Sequence, residues 1–166
     1  DINIECACIS DTEEIVTFNV SNNCQSSSIL EFGTHSIDHP WVHYVNKFEV
    51  KTQLLVDILN KYNFTPNFIN LDIQGVELKA LKSMSDLYLN QLEYIYTEVN
   101  CEYVYKECAL ITEIDAFLAL YNFIRVEVFW FGDCKWGDAF YIKKYVSCNL
   151  KNDLSSQLFQ LFTCLS

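Results

Sequence analysis

Apolar and polar positions fall in short blocks whose period changes along the chain, and each change marks an element. Residues 2–9 form an apolar-rich run that predicts a strand. A polar turn follows at 11–14, and alternation over 15–20 predicts a second strand hairpinned to the first. Residues 21–28, SNNCQSSS, are a polar loop that continues through 33–40 with His35, His39 and Pro40, and 44–50 predicts another strand. Thr52 has the place of an N-cap for a helix over 53–62, where Leu54, Leu55, Ile58 and Leu59 recur at helical spacing.

The next blocks repeat one theme. Residues 68–73 are a short apolar run between turn residues, which predicts a buried strand. Gln74 and Gly75 turn the chain into a helix over 76–83, and 94–99 is the following strand. A helix over 109–121 carries Leu110, Ile114, Phe117 and Leu118 at helical spacing, and strands over 123–130 and 138–143 flank a turn at 132–137. A last helix is expected over 153–164. Alternating helices and strands predict an α/β fold with a mostly parallel sheet, closed at one edge by a C-terminal antiparallel hairpin.

Composition narrows the picture. Half of the 166 residues are hydrophobic, enough for a real core. The net charge of −11, with a single arginine (Arg125) and scattered lysines, argues against nucleic acid and anionic membrane surfaces as partners. No apolar run reaches the roughly 18 residues of a membrane span, and no signal peptide is visible at the N-terminus. The chain opens on Asp-Ile-Asn without methionine and runs straight into a strand-like segment, so it reads as a piece of a longer domain. Its eight cysteines include no Cys-x-x-Cys pair, which weakens zinc and redox readings. Reduced, mostly buried thiols in the cytoplasm are expected. Cys6 and Cys8 would share one strand face and leave a soft-metal site as the alternative.

Only four glycines occur, and none has the spacing of a dinucleotide or phosphate loop. The strongest local pattern is NLDIQGVE at 70–77. Asp72 lies near the carboxyl end of a strand, the edge at which open α/β sheets bind ligands. Glu77 falls in the first turn of the next helix, where a carboxylate complements the dipole; it could act in the site or only cap the helix. Glu98 ends the following strand and would stand beside Asp72 if the two strands are parallel neighbours. Such a pair could bind an ammonium, orient a hydroxyl or act as a base. Gly137 and Asp138 read as a turn into the last strand, with Trp136 as a packing residue or a pocket wall. His35, His39 and His43 are spaced by four outside any predicted helix; no metal site is expected from them, and His43 is a candidate base near the substrate. A metal-dependent hydrolase using Asp72, Glu98 and the histidines is the weakest alternative.

The run FINLDIQGVELKALKSM at 68–84 resembles the core motif of the FkbM methyltransferase family. So do IYTEVNCEYVYKECALITEID at 95–115 and WGDAFYIK at 136–143, and the opening CACISDTEEIVTFNV is similar to that family's middle region. The resemblance runs to about Lys144. It implies a partial, class I methyltransferase-like (Rossmann-like) domain over 1–146, of which only the C-terminal part is present and the N-terminal strands are missing, and a helical extension over 147–166. It further implies an S-adenosylmethionine-dependent O-methyltransferase acting on a sugar-like or small-molecule hydroxyl. The cofactor would lie along Ala7, Cys8 and Ile9 and along Asp72, Gln74 and Gly75. The family's glycine-rich first motif and its ribose-holding acid would precede Asp1, so the fragment alone is expected to bind the cofactor poorly and to be inactive. The implied base is Asp72, Glu98 or His43, in that order, with no metal. The competing reading is a non-catalytic remnant serving as a binding or structural module. A sheet edge left open by truncation would favour a homo-oligomer.

Overall fold

The computed structural model describes residues 2–131 and 135–145. Among these residues seven strands form two sheets, accompanied by five helices. The smaller sheet has the order β1-β3-β2, from β1 (Cys8–Ile9), β2 (Ile15–Ser21) and β3 (Tyr44–Gln53). The larger has the order β4-β5-β7-β6, from β4 (Phe68–Leu71), β5 (Tyr94–Asn100), β6 (Phe123–Phe131) and β7 (Trp136–Lys143). The helices are α1 (His35–Asp38), α2 (Leu55–Lys61), α3 (Glu77–Lys82), α4 (Asp86–Gln91) and α5 (Ile111–Leu120).

The fold is mixed α/β, but its sheets are not mostly parallel. Parallel pairing is confined to β1 with β3 and β4 with β5; β2–β3, β5–β7 and β6–β7 are antiparallel. The long strands are those joined by short turns or inserted between neighbours, so antiparallel ladders dominate. The C-terminal pair is antiparallel as expected, and β7 lies between β5 and β6.

The N-terminal run is also corrected. Only Cys8–Ile9 is strand, and Ile2 and Ile4 are 90% and 87% exposed. It pairs with β3, not β2, because Thr52 gathers the intervening turn: its hydroxyl donates to the Thr12 carbonyl (2.6 Å) and accepts the Glu14 amide (2.9 Å). Thr52 is therefore buried inside β3 and caps no helix; α2 begins after Leu54, with Ser83 Oγ accepting the Leu55 amide at 3.0 Å. β4 is an edge strand in which only Leu71 is fully buried, so its apolar run did not signal burial on both faces. The segment read as loop at 33–40 contains the single turn α1, and α4 is an element the periodicity did not predict. The helix expected over 153–164 and the boundary at 146/147 lie outside the described residues.

One face of the larger sheet carries the core. Ile95 and Val99 of β5 and Ala139 and Tyr141 of β7 pack with Leu78 and Leu81 of α3, Leu89 of α4, and Ile111, Ile114 and Leu118 of α5. The last three recur at helical spacing and make one buried stripe. Strand alternation sends Tyr96 and Glu98 of β5 to the opposite face. A second cluster, with Leu30, Val76, Val104, Tyr105 and Cys108, fastens the loops beyond the carboxyl ends of β4 and β5.

Candidate active site

The turn after β4 sets the site. Glu77 is 2% exposed, and its Oε1 accepts the amides of Ile73 (3.0 Å) and Gly75 (3.1 Å). Burial pushes its carboxyl up to about 7, against the opposing pull of these main-chain bonds. Glu77 thus closes the turn from beneath. Gly75 has φ +99° and is packed by Cys108, Leu30 and Tyr105, so it supports the turn from inside the protein. Gln74, also at positive φ (56°), is aimed the other way, into a cavity of about 800 Å³.

Gln74 is the hub of a hydrogen-bond chain. Its Nε2 donates to Asp72 Oδ1 (2.6 Å) and to Glu98 Oε2 (3.0 Å), and its Oε1 accepts the Tyr105 hydroxyl (2.7 Å). Ser28 Oγ donates to its main-chain carbonyl at 2.7 Å. Asp72 and Glu98 therefore meet, as the parallel register of β4 and β5 requires. Glu98 is 6% exposed and its carboxyl is pushed up to about 9. Burial is the largest cause, followed by the charge of Glu77 and a hydrogen bond to Asp72 that only the protonated form of Glu98 can donate. Around neutral pH this side chain is an uncharged acid.

Directly across the antiparallel ladder from Glu98 stands Asp138, which accepts the Tyr96 hydroxyl on Oδ2 at 3.0 Å. Burial raises its pKa, the Tyr96 bond lowers it, and the charge of Asp72 raises it again. Aromatic rings wall the cavity on two sides. His35, His39 and Trp41 form an edge-to-face series, and Phe131 and Trp136 pack at 4.6 Å on the other side. Lys135 Nζ donates to both Asp38 oxygens (2.7 and 2.9 Å), tying α1 to the start of β7. Burial lowers the His35 pKa, and its Nε2 lies 3.1 Å from Ser26 Oγ.

Of the residues singled out in the sequence, Asp72, Gln74, Glu98, Trp136, Asp138, His35 and His39 line this one cavity. His43 does not: it is exposed, with Nδ1 3.3 Å from the Trp41 carbonyl. Cys8 and Ile9 pair with β3, Ala7 precedes them, and neither they nor Gly75 are among the lining residues. Asp138 lies in the last strand, which begins at Trp136 and so takes in Gly137 as well. Tyr96 and Tyr105 were missed: Tyr96 could have been found from its i, i+2 relation to Glu98, whereas nothing local marks Tyr105. Among the described residues no group of three or more His, Cys, Asp or Glu side chains is arranged to hold a metal ion, and no helix is long and apolar enough to cross a membrane.

A family model described as the methyltransferase FkbM domain matches residues 1–125. The chain belongs to the FkbM methyltransferase family. The matched stretch is the N-terminal part of the chain. In this FkbM-family chain the match takes in Asp72, Gln74 and Glu98 and ends before β7, so Trp136 and Asp138 lie beyond it. No curated protein and no solved structure matches the chain.

Proposed function

We propose that this FkbM-family chain is an S-adenosylmethionine-dependent O-methyltransferase whose acceptor is a hydroxyl on a sugar-like or other small ring-bearing molecule. The observation that carries the reading is the Gln74 bridge between Asp72 and Glu98, at the carboxyl ends of parallel β4 and β5 and on the floor of an aromatic-walled cavity. Ligands of open α/β sheets bind at that edge. The aromatic faces suit a ring, and the carboxyl and amide groups suit hydroxyls.

The donor set fits the cationic end of the cofactor. Asp72 is the exposed carboxyl of the floor, and with Gln74 it would hold the ammonium and sulfonium side. Ala7, Cys8 and Ile9, the other residues implied by the resemblance, line a different part of the fold and would contribute no contact inside the cavity. The bound cofactor would supply an electrophilic methyl group. The chain's own residues would do the rest: Trp41 and Trp136 exclude water and stack on the acceptor, and Glu98, bridged to Asp72 through Gln74, holds the polar floor in place beneath it.

The test uses the full chain with methyl-labelled S-adenosylmethionine and a set of methyl hexopyranosides and simple alcohols. Label transfer to a hydroxyl, reduced at least tenfold by Asp72→Asn, is expected. Cofactor binding by calorimetry without transfer to any acceptor would favour a non-catalytic binding role instead.

We propose further that the chain self-associates and works in a reducing compartment. β4 pairs on one side only among the described residues and exposes half of Phe68, which supports self-association through that edge; sedimentation showing a monomer at every concentration would refute it. The free thiols of Cys6, Cys8, Cys24 and Cys108 support a reducing, cytoplasmic setting.

A further inference from the structure

The cavity floor holds three carboxyl groups, and their hydrogen bonds assign them different tasks. Asp72 is tied to Gln74 Nε2. Glu98 is buried and shares the same Gln74 amide. Asp138 is placed differently. It is half-buried on β7, lines the cavity, and spends Oδ2 on the Tyr96 hydroxyl, which leaves Oδ1 without a hydrogen-bond partner among the described residues.

Resting on the methyl-transfer reading above, we propose that Asp138 is the general base of the reaction, held in position by Tyr96. The acceptor's O–H bond breaks, its proton passes to Asp138 Oδ1, and its oxygen takes the methyl carbon while the carbon–sulfur electron pair stays with sulfur. Charge balances: the carboxylate is neutralised as the sulfonium becomes a thioether.

The surroundings favour this role. Tyr96 and Glu98 face Asp138 from β5, Asp72 from the end of β4, His35 and Asp38 from α1, His39 from the residue after it, and Lys135 from the start of β7. Lys135 is bound to Asp38, so it does not tie up Asp138. Glu98 carries no charge around neutral pH, so it does not compete for the proton. Burial pushes the Tyr96 phenol up to about 12, which keeps it a donor throughout the working range. The raised pKa of Asp138 makes it a stronger proton acceptor than an ordinary aspartate. A purely structural role, holding β5 to β7 through Tyr96, would also use Oδ2 but would give the carboxylate no part in the pH profile.

The test compares wild type, Asp138→Asn and Tyr96→Phe in the same labelled assay, with calorimetric cofactor binding and a ¹³C NMR titration of the Asp138 carboxyl alongside. Asp138→Asn keeps the shape and the bond from Tyr96; it should lower kcat about 100-fold or more with cofactor affinity unchanged. Tyr96→Phe removes the bond that holds the Asp138 pKa down, so the acid limb of the rate profile and the NMR midpoint should both move to higher pH. An Asp138→Asn protein within about twofold of wild-type kcat would overturn the role, as would a Tyr96→Phe profile that does not move. No transfer by wild type would overturn the methyl-transfer reading and the role with it; transfer by wild type and Asp138→Asn alike would overturn the role alone.

Discussion

The amide of Gln74 donates to Glu98 Oε2 at 3.0 Å, across 24 positions of sequence, and the same nitrogen holds Asp72 at 2.6 Å. One side chain therefore sets the spacing of two carboxyl groups on neighbouring strands. Its Nε2 is the donor that Asp72 Oδ1 and Glu98 Oε2 share. Gln74→Leu, of similar bulk, removes the donor and strands the Tyr105 hydroxyl as well. It should cost about 1–3 kcal/mol, read by urea denaturation. A loss below a few tenths would mean that the bridge contributes nothing to the fold.

Glu98 has a pH signature of its own. Its carboxyl titrates near 9 when folded and near 4.5 when unfolded. Between those values the folded chain keeps a proton that the unfolded chain has released, so stability is full below the lower value and declines toward the upper one. Glu77, at about 7, adds to the decline over the lower part of the range. Glu98→Gln removes the larger contribution. Melting curves from pH 5 to pH 9 should therefore fall less steeply for the variant, with an advantage on the order of a few kcal/mol at the alkaline end. Parallel curves for the two proteins would contradict the buried, protonated state of Glu98.

Gly75 cannot accept a side chain. Its φ of +99° disfavours L residues, and a Cβ would meet Cys108 Cβ and Leu30 Cδ1 at 3.1 Å and Tyr105 Cδ2 at 3.2 Å. Gly75→Ala should destabilise by about 1–3 kcal/mol and displace Gln74. Calorimetric melting measures the first effect. Loss of labelled transfer beyond the loss of folded protein measures the second.

Trp136 is predicted to act on binding and not on the proton. It lines the cavity and packs on Phe131 at one wall. Trp136→Ala should raise the acceptor KM about tenfold, leave the pH limbs of kcat in place and change cofactor affinity little. A shift in the pH profile would place it nearer the reacting atoms.

Some of this was written into local sequence. Alternation gave β2, and short runs between turn residues gave β5, β6 and β7; the helical spacing of Leu110, Ile114, Phe117 and Leu118 gave α5; and NLDIQGVE gave a strand, a turn and a helix with an acid at the carboxyl edge. These are short-range patterns, fixed by side-chain period and by the backbone freedom of Gly75.

What only the tertiary structure decided depends on register and on contacts far apart in sequence. A period of two says that Glu98 faces one side of β5, but not that β7 lies against it with Asp138 opposite. Thr52 reads as a helix cap until the 12–14 turn binds its hydroxyl, and the N-terminal apolar run reads as a strand although Ile2 and Ile4 find nothing to cover them among the described residues. The parallel sheet expected from alternating elements gave way to antiparallel ladders because β7 enters between β5 and β6. The sequence by itself determined which residues stand at the end of β4. Strand order and the Gln74, Tyr96 and Tyr105 hydrogen bonds decided which carboxyl groups face one another, because burial and neighbouring charge, which set their protonation, exist only once the chain has folded.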